Sequence, residues 1–217
     1  MNKRIDTVLF DLDGTLIDTN ELIISSFMHV MDHYFPGEYG RQDVLQFMGP
    51  PLVESFQLVN PDRVEEMVQF YRKYNFEQHD VLVTGFEGVE ETIVSLHEQG
   101  IKMAIVSTKR NEGVLKGLKL MKLDQYFDVV IGLDDVTNAK PDPEPLLLAL
   151  KKLDSFPESS IMVGDNHHDI LGGKNAGTKT AGVAWSAKGR DYLVQYEPDW
   201  MLESMTDLIR IIQESST

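Results

Sequence analysis

Asp11 and Asp13, two carboxylates separated by one residue, stand directly after a short apolar run and directly before Gly14-Thr15. A buried strand has no use for unpaired charge along its length. The pair therefore belongs at the strand's C-terminal end, where open α/β sheets place their ligand crevices. Three further polar signals follow apolar runs or open turns. They are Ser107-Thr108-Lys109 after Val106, Lys140 within Asn138-Ala139-Lys140-Pro141-Asp142-Pro143, and Asp165 with Asp169 in Val163-Gly164-Asp165-Asn166-His167-His168-Asp169. Converged on one sheet edge, these groups make a site for phosphoryl transfer. Asp11, Asp165 and Asp169 would repel one another unless a cation sat among them. Hard oxygen donors favour magnesium (Mg2+), which also binds substrate phosphate. The Ser107 hydroxyl can bond a phosphoryl oxygen, and Lys140 supplies the positive charge that the transferring group needs. With no cysteine in the chain, a carboxylate is the covalent nucleophile: Asp11 would form an aspartyl-phosphate. Asp13 would protonate the leaving group and then activate water. Gly14 lets the chain turn sharply and brings backbone N–H groups towards an anion.

Each signal alone has an ordinary explanation. Asp-Gly is a common surface turn, and Ser107 could simply cap a strand end. Lys140 before proline could be a solvated loop lysine, and an Asp at a helix start is usually an N-cap. Lys109-Arg110 could be a solvated helix start. His167 and His168 are adjacent and cannot both face one ion from a helix, so they are expected at a pocket rim or on the surface. What carries the chemical reading is the order of the four signals on matching strand ends.

The elements that must position them follow from periodicity. Ile5, Val8, Leu9 and Phe10 read as a buried strand. From Asn20 the pattern turns helical, with Leu22, Ile23, Phe27, Val30, Met31 and Tyr34 on one stripe until Pro36-Gly37. Short helices are expected near 42–47 and 52–59, and a longer one from Asn60-Pro61-Asp62 to about His79. Beyond Gly85, helices near 89–99, 112–121, 143–153 and 168–175 alternate with strands near 102–107, 129–132, 160–164 and 180–184. A final helix is expected near 203–214. This alternation predicts a doubly wound, mostly parallel α/β sheet of Rossmann type. Residues 1–16 and 83–217 would form that core and residues 17–82 an inserted all-helical cap. Two connections, near Ile17–Asn20 and His79–Thr84, would let the cap act as a lid.

Composition narrows the function. A net charge of −15 over 217 residues argues against nucleic acid or an anionic membrane as partner. A small phosphate-bearing substrate must then be held by local cations or a metal, and no obligate protein partner is implied. The absence of cysteine excludes disulfides and thiolate chemistry. Asp6, Asp11 and Asp13 interrupt anything like a signal-peptide core after Lys3 and Arg4. No apolar run approaches the roughly 18 residues of a membrane span. A cytoplasmic location is the expectation. Neither a Walker-type loop nor Gly-x-Ser-x-Gly occurs.

Asp11-Leu12-Asp13-Gly14-Thr15, Ser107, Lys140 and Gly164-Asp165-Asn166-His167-His168-Asp169 together resemble the four motifs of the haloacid-dehalogenase (HAD) superfamily, in its phosphatases with a C1-type helical cap. The resemblance covers the whole chain. It implies a magnesium ion held by the Asp11 carboxylate, the Asp13 backbone carbonyl and Asp165, with Asp169 supporting from nearby. Dehalogenases of this fold lack the second carboxylate, which is present here as Asp13. Phosphonatases use a cap lysine, whereas Lys73 is the lone lysine between Arg4 and Leu82 and lies deep in an expected helix. Mutases share both aspartates and are not separated by these motifs. Within the phosphatases, Asp18-Thr19-Asn20-Glu21, Phe47-Met48-Gly49-Pro50-Pro51 and Ser107-Thr108-Lys109-Arg110 resemble the family of PpaX-type inorganic pyrophosphatases. Phosphoglycolate phosphatases are similar nearly as far at motif level. Either family implies a substrate-facing turn at Gly49 and Pro50, with Gly14, Thr15, Thr108 and Lys109 at the substrate. Lys109 or Arg110 would offset charge on a pyrophosphate. A phospho-accepting signalling module of similar sheet architecture would need neither Asp13 nor a cap.

Overall fold

The computed structural model describes residues 4–215. Its first strand, β1 (Thr7–Phe10), is buried at every residue, as an uninterrupted apolar run in the middle of a parallel sheet should be. A short β2 (Ile17–Asp18) leads into four helices, α1 (Asn20–Tyr34), α2 (Arg41–Val44), α3 (Leu52–Val59) and α4 (Val64–Leu82). The chain returns through β3 (Thr84–Gly85), which pairs with β2. Strands and helices then alternate: α5 (Val89–Glu98), β4 (Lys102–Val106), α6 (Asn111–Leu120), β5 (Val129–Ile131), α7 (Glu144–Leu153), β6 (Ser160–Gly164), α8 (His167–Ala176), β7 (Lys179–Val183), α9 (Arg190–Val194), β8 (Trp200–Leu202) and α10 (Asp207–Glu214). Among the described residues, no helix is long and apolar enough to cross a membrane.

The chain divides into two compact units, with breaks after Ile17 and after Thr84. These fall one and two residues later than the pattern alone placed them. The α/β unit carries a six-stranded sheet in the order β5-β4-β1-β6-β7-β8, and every neighbouring pair is parallel. From β1 the chain winds outward through β4 and β5, then returns to β1's other side for β6, β7 and β8. That reversal at β1 is a topological switch point, the place where doubly wound sheets open a crevice at their carboxyl ends. The registers Phe10↔Ile105 and Phe10↔Val163 bring the C-terminal ends of β1, β4 and β6 level. Leu9, Ala104, Val106, Ile131 and Met162 pack against Leu146, Ala149 and Leu150 of α7 and anchor that edge.

The helical unit has its own core. The Phe27 ring lies 5.7 Å from Phe47, 5.5 Å from Phe56 and 4.9 Å from Tyr71. Such aromatic pairs add about 0.5–1.5 kcal/mol each beyond area burial. Met67 and Val68 of α4 close the same cluster.

Six elements depart from the sequence reading. The edge strand β8 and the short α9 were not expected, because three residues at a sheet edge carry no readable period. The last helix begins at Asp207, later than its apolar pattern implies. Helix α4 continues to Leu82, past His79. The connections expected as plain linkers pair with each other as β2 and β3, a tertiary contact that two residues of sequence cannot announce.

Candidate active site

Asp11 continues β1 by one residue, since its N–H still bonds the Val163 carbonyl at 2.9 Å. The chain then curls into a tight loop. Thr15, Leu16 and Ile17 all donate to the Leu12 carbonyl, at 3.3, 3.0 and 3.1 Å, and the Gly14 N–H bonds the Ile17 carbonyl at 2.9 Å. The Gly14 and Thr15 N–H groups are thus both taken within the loop. Gly14 is needed on steric grounds. Its φ is +76°, and a Cβ there would lie under 3.0 Å from the Asp165 carboxylate. Both the left-handed backbone and the close approach exclude a side chain. Gly14→Ala is expected to displace Asp165, to lower turnover by about a hundredfold or more, and to erase most of the rise in Tm that a divalent cation confers. Thermal melts with and without Mg2+, beside initial rates, check it. An alanine variant with the wild-type cation response would show that the loop yields.

Lys140 precedes α7 and is 4 % exposed, which rules out a solvated loop lysine. Its ammonium donates to Asp11 Oδ1 at 2.9 Å, Asp169 Oδ1 at 2.6 Å and the Val106 carbonyl at 2.6 Å. A lysine has three N–H donors, and all three are taken. Lys140 thus ties β1, β4 and α8 together, and its charge reaches the site through the field rather than through a spare donor. Burial works against that charge, but Asp11 and Asp169 outweigh it and raise the pKa.

Asp11, Asp165 and Asp169 each bring a carboxylate oxygen to within 4.8 Å of the others, and all three are buried. The Asp13 carboxylate does not join them. The helix start that places Asp169 is capped by Asn166, not by an aspartate. Asn166 accepts from the His168 N–H at 3.4 Å and returns its own N–H to Asp169 Oδ2 at 3.0 Å. This capping box fixes the carboxylate that Lys140 grips on its other oxygen. Gly164 makes room for it, since a Cβ there would fall under 3.0 Å from Asp169. Burial, with Asp169 adding repulsion, pushes Asp11 up to about 7 against the pull of Lys140. Burial and then Asp11 push Asp165 well above the usual carboxylate range. Three buried carboxylates, of which Lys140 contacts two, are a charge surplus that a divalent cation relieves. An all-oxygen donor set suits a hard ion.

Asp13 Oδ1 accepts from Lys109 Nζ at 2.9 Å. Lys109 is not a solvated helix start. Its N–H bonds Ser107 Oγ at 3.1 Å, its carbonyl accepts from Leu133 N at 2.9 Å, and its stem lies across Gly113, where a Cβ would come 3.0 Å from Cε. A helical glycine costs roughly 1 kcal/mol relative to alanine, and here it clears a path for that stem. Ser107 is 6 % exposed and keeps its hydroxyl proton available to a ligand. Thr108 is half-buried beside it. Arg110 is exposed and lies 3.5 Å from Asp134, away from Asp13. Gly49 and Pro50 belong to the turn before α3 in the helical unit. His167 and His168 are part-buried; His167 Nδ1 meets the Tyr192 hydroxyl, and His168 Nδ1 lies 2.9 Å from Asn166 Oδ1.

The loop after β7 escaped the sequence reading. Ser186 donates to the Asp165 carbonyl at 2.7 Å and accepts from the Lys188 N–H at 3.2 Å. A signal was available, because Trp185-Ser186-Ala187-Lys188-Gly189 follows a strand end like the four motifs do. Its isolation from any carboxylate in sequence hid it.

Residues 8–183 match the model of the family described as haloacid dehalogenase-like hydrolase. The chain is 59% identical to a protein named pyrophosphatase PpaX from Halalkalibacterium halodurans, over 96% of this chain and 97% of that one. It is 57% identical to another of that name from Anoxybacillus flavithermus, over 98% and 99%. A solved haloacid dehalogenase-like family hydrolase from Streptococcus pneumoniae superposes with a TM-score of 0.85 at 25% identity, covering 95% of this chain and 98% of that one.

Proposed function

The chain belongs to the haloacid dehalogenase-like hydrolase family, and from that footing we propose that it is a magnesium-dependent phosphohydrolase that splits inorganic pyrophosphate into two phosphates through an aspartyl-phosphate on Asp11. The observation that carries the reading is the division of labour between two carboxylates. Asp11 lies buried among Asp165, Asp169 and Lys140, whereas Asp13 stands outside that cluster against Lys109. Relatives named pyrophosphatase, aligned nearly end to end, support the substrate.

Asp11, Asp165 and Asp169, with the Asp13 carbonyl, are the residues that would hold Mg2+. When bound there it would neutralise charge on the transferring phosphoryl group. The chain's own groups do the rest. The Asp11 carboxylate attacks one phosphorus of pyrophosphate, so an O–P bond forms to Asp11 as the bridging P–O bond breaks. Asp13 protonates the departing phosphate. With Oδ1 engaged by Lys109, Oδ2 is the oxygen that carries this proton. Ser107 donates to an equatorial phosphoryl oxygen, and Lys140 holds Asp11 in line by its bond to Oδ1. In the second half, Asp13 takes a proton from water as it attacks the same phosphorus. The second phosphate leaves and Asp11 is restored.

The test is phosphate release from pyrophosphate, phosphoglycolate, a sugar phosphate and an aryl phosphate, with and without Mg2+. The expected result is a kcat/KM for pyrophosphate about a hundredfold above the others, roughly 2.7 kcal/mol of transition-state discrimination. A preference for phosphoglycolate would keep the mechanism and replace the substrate.

A further inference from the structure

The α/β unit has one more cation at this sheet edge that the reaction above leaves without a task. Lys188 sits in the loop after β7. That loop folds back on the backbone of Asp165 through the Ser186 hydroxyl, and Ser186 is 6 % exposed. The hydroxyl reaches the Asp165 carbonyl at 2.7 Å and the Lys188 N–H at 3.2 Å. The ammonium lies 5.1 Å from the centre of the Tyr192 ring, within cation–π range. Tyr192 is braced in turn: its hydroxyl meets His167 Nδ1, and His167 stacks on Tyr196 at 5.0 Å between centroids. An aromatic wall rooted in α8 and α9 thus holds a half-buried charge beside Asp165. Burial lowers the Lys188 pKa, with Asp165 and Asp169 pulling the other way.

Charge needs explain what such a group is for. Lys140 has all three donors on the protein, Lys109 is drawn to Asp13, and Arg110 lies by Asp134. A diphosphate brings a second phosphoryl group whose negative charge grows as the bridging bond breaks. A pre-placed, partly desolvated cation stabilises such developing charge without reorganising. We propose that Lys188 binds the leaving phosphate of the diphosphate substrate and so sets the preference for it over monoesters with uncharged leaving groups. This assignment rests on the phosphohydrolase reading above. It makes the loop after β7 a specificity element contributed by the α/β unit itself.

The experiment compares wild type, Lys188→Met and Lys188→Arg on pyrophosphate and on 4-nitrophenyl phosphate, with Mg2+ saturating. Calorimetric binding of imidodiphosphate, which resists hydrolysis, runs in parallel. Lys188→Met is expected to lower kcat/KM for pyrophosphate by about a hundredfold, and to lower it for the aryl ester at least about thirtyfold less. Imidodiphosphate should bind at least about tenfold more weakly, the rise in Tm with Mg2+ should persist, and arginine should recover most of the loss. Equal losses on both substrates, loss of the Mg2+ response, or no loss at all would each overturn the assignment. Wild-type protein that turns over the aryl ester but not pyrophosphate would instead defeat the substrate reading on which the assignment stands.

Discussion

Asp11→Asn is expected to lower kcat by at least about ten-thousandfold while the fold stays intact. The amide is close to isosteric, but it cannot carry a phosphoryl group through an acyl-phosphate, so the covalent route is lost rather than slowed. Stability should move the other way. Burial raises the Asp11 carboxyl from an ordinary 3.8 to about 7, so the folded state holds this proton more tightly than the unfolded chain. The sign follows from linkage: ionising Asp11 costs folding free energy, and stability of the metal-free protein falls as pH rises from about 4 through about 7. Asparagine has no proton to lose. In EDTA at pH 8 the variant should melt no lower than wild type, and its Tm should change less between pH 5 and pH 8. Thermal melts at both pH values, beside phosphate release, check both halves. A variant that melts clearly lower at pH 8 would show that attraction to Lys140 outweighs the burial cost.

Lys140→Met carries the larger expected cost in stability. Removing the ammonium leaves Asp11 and Asp169 buried without the cation that contacts both. Breaking one side of a buried ion pair typically costs ~3–5 kcal/mol. For a chain of this size each kcal/mol moves Tm by about 2–4 °C, so a fall of roughly 6–20 °C is expected in the metal-free protein at pH 8. The loss should be smaller at pH 5, where Asp11 is largely protonated. Adding Asp11→Asn to Lys140→Met should recover part of it, since the double variant has one fewer orphaned charge, and a double-mutant cycle measures that coupling. Strict additivity would mean that Lys140 acts mainly by packing. Turnover should fall by about a thousandfold or more, because the same bond orients the nucleophile.

The remaining site residues show how unevenly a sequence discloses its chemistry. Asp11, Asp13, Ser107, Lys140, Asp165 and Asp169 were legible because each stands at or near the end of an apolar strand, and parallel strands with crossovers must share one carboxyl edge. Lys188 obeys the same rule and went unread, because a lone lysine in a loop has a solvated explanation that no neighbouring residue contradicts. Lys109 was read as a charge for substrate. In the structure its ammonium lies on Asp13, far off in the chain, with its stem across Gly113, and no local spacing records that pairing.

By itself the chain determined its alternation of strands and helices, the insertion of a helical stretch after the first strand, and the residues at the strand ends. Those are local matters of apolar period, turn residues and the cost of burying charge, and a few neighbouring residues suffice to express them. Tertiary structure alone decided that Gly14 makes room for Asp165, and that all of Lys140's donors are consumed. It alone decided that Lys109 lies on Asp13, and that a three-residue strand closes the sheet at β8. Each depends on which oxygen or which Cβ position lies a few ångströms away across the fold. Hydrogen-bond saturation and steric exclusion act at that range, and no sequence spacing records it.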